Sequence, residues 1–142
     1  MDVRHDSIIV DMVCRALVPF IQLFALYVLA FGHYSPGGGF QAGAILAGSV
    51  LLTRLCLGRG RSHRQFPPNV GPVMAAVGLL VYSGIGLVAM VSGGNYLDYA
   101  KLPITGFEAP MLRYYGIMGI EIGVALGVCG IMVTIFDSLI GE

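Results

Sequence analysis

Residues 32–43 read GHYSPGGGFQAG, a stretch with one proline and three consecutive glycines that lies between two long apolar runs. Pro36 resists the continuation of a helix and pushes the residue before it toward an extended conformation. The glycines that follow can take backbone angles closed to other residues, and they let two backbones approach closely. The stretch therefore predicts a tight corner between two helices. It matches neither GxGxxG nor GK[ST], so it is not a phosphate-binding loop.

The runs on either side of the corner indicate a membrane protein. The chain has 142 residues, of which 56% are hydrophobic and 11% are charged, and its mean hydropathy is +0.82. Soluble domains carry roughly 25% charged residues. Four apolar stretches approach the roughly 20 residues that a bilayer core requires. The sequence predicts an all-α membrane protein of one domain, with four transmembrane helices at about residues 8–31, 39–57, 71–91 and 110–139.

The distribution of Lys and Arg predicts the orientation of these helices. One side of the membrane would hold Lys101 and Arg113, and the link between the second and third helices would lie on the other. That other side carries six positive residues: Arg4, Arg15, Arg54, Arg59, Arg61 and Arg64. The positive-inside rule then places the link and both termini in the cytoplasm. Binding of this link to a partner or to acidic lipid remains an alternative, although topology alone accounts for its charge.

Aromatic residues mark the opposite side of the membrane. They resemble a belt at the lipid–water interface and comprise Tyr96, Tyr99, Phe107, Tyr114 and Tyr115. Lys101 lies among them, where it could extend its amine to the interface or line an outer opening. Of these two interpretations, snorkelling to the interface is favoured.

Small residues predict two close helix contacts. Gly39, Gly43 and Ala47 recur every four residues after the corner, a face that permits close approach in lipid. The fourth span carries a second stripe of glycines at spacings of 3, 4, 4 and 3: Gly116, Gly119, Gly123, Gly127 and Gly130. Such a stripe packs against another backbone. Glu121 lies roughly opposite the stripe, so we expect at least one of these two faces to need a neighbouring subunit.

Glu121 admits two interpretations. Either it lies close enough to the interface to reach water, or it is a buried carboxylate with a functional or structural role, which is favoured because intramembrane acids often mark ion routes or polar contacts. His33, Ser35 and Gln41 pose a related question, since each is a polar side chain beside the corner. They could meet water or a partner at the membrane boundary.

The residues GHYSPGGGFQAGAILAG are similar to the signature of the B subunit of Mrp-type (Mnh-type) multisubunit cation/proton antiporters. In that family a Gly-His-x-x-Pro-Gly-Gly-Gly-Phe-Gln run joins the first two of four membrane helices. The fourth span, GIMGIEIGVALGVCGIMVTIF, is also similar to the family's C-terminal helix. The resemblance covers nearly the whole chain and is weakest over residues 95–111.

The resemblance implies a hetero-oligomer that exchanges cytoplasmic Na⁺ for outside H⁺ across the cell membrane. In such antiporters, ion translocation is assigned mainly to large subunits related to those of respiratory complex I. This chain would be a small membrane subunit that supports assembly and, in one alternative, lines part of the ion path. A structural adaptor without a role in the path is a second alternative. A homologous subunit of a hydrogenase-like, redox-driven ion pump is a third.

The candidate residues for the ion path or a subunit interface combine the matched motif with the polar positions described above. They are His33, Ser35, Pro36, Gly37, Gly38, Gly39, Phe40, Gln41, Lys101 and Glu121. Nothing in the chain has the pattern of a catalytic triad, a carboxylate pair or a Cys/His metal site. We therefore expect no enzymatic activity, no cofactor and no bound metal. The zero formal net charge also gives no reason to expect a nucleic-acid partner.

Overall fold

The computed structural model describes residues 7–34 and 36–140, apart from the side chain of Arg59. Four long helices within these residues are apolar enough to cross a membrane, which confirms the predicted fold class. The predicted ends differ from the observed ends by at most one residue. The helices are α1 (Ile8–Phe31), α2 (Gly39–Leu57), the short α3 (Arg59–Gln65), α4 (Val70–Val91) and α5 (Ala109–Ile140), with a 3₁₀ turn at Tyr99–Lys101.

Small side chains occupy the interior, and large apolar side chains point outward. Ala25, Ala47 and Ala89 are fully buried, whereas Phe20 and Leu80 are about 70% exposed. In lipid, helices associate through close packing of small residues, because lipid tails are as apolar as leucine side chains. The exposed apolar surface and the small interior residues are therefore those of a membrane protein.

Helix α5 lies between α2 and α4, and α1 packs mainly against α2. The antiparallel pair α1 and α2 is joined by a hydrogen bond from Gln22 Nε2 to Ser49 Oγ, at 3.3 Å. Helices α2 and α5 run in the same direction. A methyl group built on Gly39 would collide with the Glu121 carbonyl, and one built on Gly43 would lie 2.6 Å from the Ala125 carbonyl oxygen. The predicted small-residue face of α2 is thus confirmed, and its partner is α5.

The glycine stripe of α5 packs against α4 of the same chain. A methyl group on Gly130 would lie 2.5 Å from the Ala75 nitrogen and the Gly71 oxygen, and one on Gly123 would lie 3.1 Å from the Gly78 oxygen. Gly127 is different, because a methyl group there would meet nothing within 4 Å. A backbone partner was correctly predicted for the stripe.

The prediction that one of the two α5 faces needs a neighbouring subunit is wrong for the contacts seen here. The chain itself supplies α4 for the glycine stripe and α2 for the Glu121 side. The residue spacing within α5 could not predict this, because α2 and α4, which flank α5, come from other parts of the sequence. Even at Gly127 the backbone lies close to α4, since a methyl group on Gly78 would lie 2.8 Å from the Gly127 Cα atom.

One end of the molecule contains the start of α1, helix α3 and the C-terminal ends of α2 and α5. Contacts between charged side chains connect these elements in pairs. Asp11 lies 3.0 Å from Arg15 and 3.6 Å from Arg61, which belongs to α3. Arg54 near the end of α2 forms an ion pair with Asp137 of α5. The glycine corner therefore lies at the opposite end of α2.

Candidate functional site at the glycine corner

The corner brings the end of α1 against the start of α2 by means of glycine backbone. A methyl group on Gly32 would lie 2.8 Å from the Cα atom of Gly38, and one on Gly37 would lie 3.1 Å from the Val28 carbonyl oxygen. Gly38 has a φ of 135°, a conformation that residues with a side chain rarely adopt. The glycines are thus required by close approach at two positions and by backbone conformation at a third.

This corner places His33 beside Glu121. The Nδ1 atom of His33 lies 3.5 Å from Oε2 of Glu121, and the two side chains are 13% and 18% exposed. Both ring nitrogens and Oε2 are buried and have no hydrogen-bond partner among the described residues. Buried polar atoms are nearly always paired, so these three atoms make the His33–Glu121 contact the candidate functional site of the described residues.

Tyr114 covers the imidazole of His33. Their ring centroids are 5.1 Å apart, with 37° between the ring planes. Tyr115 packs edge-on against Tyr114, and Phe107 packs against Tyr115 in the same manner. Sequence reasoning assigned these rings to an interfacial belt and missed the contact with His33. The seven-residue spacing from Tyr114 to Glu121 was the available signal, because it places both on one face of α5.

The start of α2 lies close to the Glu121 carboxylate. A methyl group built on Gly38, the residue before α2, would lie 3.5 Å from Oε1 of Glu121. The first backbone N–H groups of a helix have no partner within the helix, and they carry partial positive charge. The carboxylate thus has His33 on one side and the positive end of α2 on the other.

The pair lies well inside the span of the helices. Glu121 precedes Asp137 by 16 residues on α5, a distance of about 24 Å along a helix axis, against a hydrocarbon core about 30 Å thick. A methyl group on Gly123 would lie 3.3 Å from the Tyr82 nitrogen. Helix α4 continues from Tyr82 to its C-terminal end at Val91, about 13 Å further along its axis. The corner therefore lies deeper in the molecule than the C-terminal end of α4.

The other predicted site residues lie either at the glycine corner or, in the case of Lys101, in the loop after α4. Gly38 and Gly39 lie against Glu121, whereas Pro36, Phe40 and Gln41 are exposed. The aliphatic part of Lys101 crosses Gly94 in the loop after α4, and the side chain is exposed. Ser35 lies outside the described residues. The structure therefore brings His33 and Glu121 together and leaves Lys101 in the loop between α4 and α5.

A second polar pair lies at the far end of the same helix contact. Arg54 is buried, pairs with Asp137, and donates from Nη2 to the Phe66 carbonyl oxygen at 3.3 Å. Sequence reasoning did not pair these residues. The signal was present in the spacing, since Arg54 follows Gly39 by 15 residues and Asp137 follows Glu121 by 16. Parallel helices that meet at Gly39 and Glu121 must bring the second two residues level.

Between the two polar pairs, α2 and α5 leave little space. Gly43 touches the Ala125 backbone, and Ala47 packs with Cys129 and Val133 in a buried cluster. We call this contact, from Gly39 and Glu121 down to Arg54 and Asp137, the α2–α5 seam. Over the described ranges, no group of three His, Cys, Asp or Glu side chains could hold a metal ion.

Comparison with known proteins identifies the family to which the chain belongs. The family described as a domain related to the MnhB subunit of the Na⁺/H⁺ antiporter matches residues 9–134. The chain is also 27% identical, over 97% of its length and 97% of theirs, to antiporter subunit mnhB2 of Staphylococcus aureus strains Newman and JH1. These matches favour the antiporter interpretation over a subunit of a redox-driven pump.

Proposed function

The chain belongs to the MnhB family of Na⁺/H⁺ antiporter subunits, and we propose that it lines part of the ion path at the glycine corner. A subunit of a Mrp-type antiporter is a transporter component that works with other membrane subunits. The large complex-I-like subunits would be its partners, the cell membrane its location, and Na⁺ and H⁺ the ions exchanged by the complex. The link between α2 and α4, which contains α3, and both termini would face the cytoplasm.

The observation that carries the proposal is the buried contact of His33 with Glu121. A carboxylate near the middle of a membrane helix costs on the order of 3 kcal/mol to insert, and less near the interface. Asp137 at the other end of the seam has Arg54 as a fixed cationic partner, whereas the ion-pair contact described for Glu121 is with a histidine. A purely structural ion pair of the Arg54–Asp137 kind therefore does not account for Glu121. Unpaired polar atoms beside the family's motif instead support a role in moving an ion.

The tight α2–α5 seam leaves no room for an ion path between these two helices. Glycine and alanine backbones fill the space between the His33–Glu121 pair and the Arg54–Asp137 pair. An ion at Glu121 would have to continue through a neighbouring subunit. Purified chain in liposomes should therefore show no sodium/proton exchange, and exchange by the chain alone would contradict the proposal.

The test uses the assembled antiporter complex in inverted membrane vesicles. Glu121→Gln keeps the side-chain shape and removes the charge, so we expect normal complex abundance and a large loss of exchange, because the amide cannot gain and release a proton as the carboxylate does. Asp11→Asn is the matched control, since it removes an acid from the opposite end of the molecule. We expect it to leave exchange unchanged.

Two outcomes separate the alternatives. Unchanged exchange in Glu121→Gln, with normal abundance, would remove the corner from the ion path. Loss of complex assembly in Glu121→Gln, with full exchange by the fraction that assembles, would instead favour the structural adaptor.

A further inference from the structure

We infer that the ion held at the glycine corner is a proton, shared between Nδ1 of His33 and Oε2 of Glu121, and not a sodium ion. This inference deepens the proposed function and rests on it. An imidazole and a carboxylate at 3.5 Å can pass one proton between them after a small side-chain rotation. The pair gains one net proton on loading and loses it on release, and no other bond forms or breaks.

The ligand set argues against sodium. Hard cations are held by several oxygen ligands, as Ca²⁺ and Mg²⁺ are. The ion-pair contact described for the Glu121 carboxylate is with the imidazole of His33, whose ring Tyr114 covers. An imidazole nitrogen is a ligand for protons and transition metals, and it serves a sodium ion poorly.

The electrostatics of the corner point the same way. The positive end of α2 faces the Glu121 carboxylate, and a methyl group on Gly38 would lie 3.5 Å from Oε1. A sodium ion at this carboxylate would sit against that partial positive charge, which opposes its binding. A proton can instead reside on the imidazole side, at Nδ1 or between the two groups.

One other titratable side chain has a described contact with the pair. From α5 the nearest is Tyr114, whose ring lies over His33. The contacts described for α1 and α2 at the corner are backbone and aliphatic atoms of Val28, Gly32, Gly38 and Gly39. Within the described part of the chain, a change in proton occupancy at the corner is therefore assigned to His33 and Glu121 together.

The test uses dicyclohexylcarbodiimide on the wild-type complex, with modified residues identified by peptide mass spectrometry. This reagent takes the proton of a protonated carboxyl group onto its nitrogen, and the carboxylate then adds to its central carbon. We expect modification of Glu121 to fall as pH is raised over the range in which the complex stays assembled, because the reagent needs the protonated carboxyl group. Added Na⁺ should change it by less than about twofold at fixed pH.

Asp137 is the internal control in the same samples. Its carboxylate is paired with Arg54, so it should stay unmodified at every pH in that range. Protection of Glu121 by Na⁺ at constant pH would overturn the inference and identify a sodium site, while the proposed function would stand.

His33→Gln tests whether the proton is shared. The variant keeps a polar side chain and removes the titrating ring, so we expect the pH midpoint of Glu121 modification to shift. An unchanged midpoint would contradict a shared proton. The reciprocal exchange His33→Glu with Glu121→His retains one acid and one base, and it should restore pH-dependent exchange if the pair acts as a unit.

Kinetics in the vesicles distinguish failure of the inference from failure of the proposed function. A proton site predicts that Glu121→Asp shifts the pH profile of exchange while the KM for Na⁺ stays within about twofold. A raised KM for Na⁺ with an unchanged pH profile would overturn the inference alone. No change in rate, KM or pH profile would overturn both.

Discussion

Arg54 and Asp137 form an ion pair at one end of the α2–α5 seam, and His33 and Glu121 meet at the other. The two pairs differ in composition. The first joins a guanidinium, 2% exposed, to a carboxylate that is 22% exposed. The second joins two groups that can each gain or lose a proton. We therefore propose a structural role for the first pair and, as argued above, proton transfer for the second.

Arg54→Ala should lower the stability of the complex without altering the pH profile of exchange. Removal of one partner from a buried ion pair costs about 3–5 kcal/mol, and we expect a smaller loss, about 2 kcal/mol, because Asp137 reaches solvent. Thermal unfolding of the purified complex measures the effect. Arg15→Ala is the matched control, because its pair with Asp11 is 54% and 34% exposed, and it should cost less than about 1 kcal/mol. Equal losses in both variants would refute the distinction.

Gly39→Ala should separate α2 from α5 at the corner. The added methyl group would collide with the Glu121 carbonyl, and overpacking of this kind costs about 1–3 kcal/mol. Complex abundance and thermal stability should both fall. Gly48→Ala on the same helix is the control, since its methyl group would meet nothing within 4 Å and helix propensity favours alanine by about 1 kcal/mol. A tolerated Gly39→Ala would show that the seam can open without cost.

The orientation of the chain in the membrane can be measured by cysteine labelling in a variant that lacks Cys14, Cys56 and Cys129. Arg64→Cys and Asn95→Cys place thiols at exposed positions in the α3 helix and the outer loop. A membrane-impermeant maleimide should label Asn95→Cys in intact cells and Arg64→Cys only in inverted vesicles, because positive links are retained in the cytoplasm. The reverse pattern would invert the proposed topology.

The outer loop should loosen at high pH through Tyr99. Its ring packs against Gly116 of α5, where a methyl group would lie 2.6 Å from Cδ1. Burial, and then the proximity of Tyr82 and Tyr96, raises the pKa of the Tyr99 phenol above its usual value of 10.0. Since the folded state favours the protonated phenol, its contribution to stability is complete below about pH 10 and is lost as pH rises through the raised pKa.

Tyr99→Phe keeps the ring and removes the titrating group. We expect its melting temperature to decline less than that of the wild type between about pH 9 and 11. Tyr34→Phe is the control, because Tyr34 is 81% exposed and makes little contact. An identical alkaline decline in Tyr99→Phe and the wild type would show that Tyr99 does not anchor the loop.

Local features of the sequence were sufficient to predict the four helices and the corner between the first two. A run of about 20 apolar residues must satisfy its backbone hydrogen bonds within itself in lipid, so it forms a helix whatever its neighbours are. Pro36 and the three glycines after it likewise act through their own backbone angles. The small-residue faces of α2 and α5 were also predictable, because a 3- or 4-residue spacing fixes which side chains share one face.

The partners of those faces were decided by the tertiary structure. Glycine stripes fit any closely approaching backbone, so the sequence could not choose between α4 of this chain and a helix of another subunit. The same holds for Glu121, whose contact with His33 spans 88 positions of sequence. The sequence determined which residues are polar and where each helix turns. Only the packing of α2 against α5 in parallel brought Glu121 to the corner and Asp137 to Arg54, because lateral contacts depend on helix order and offset, which local spacing does not contain.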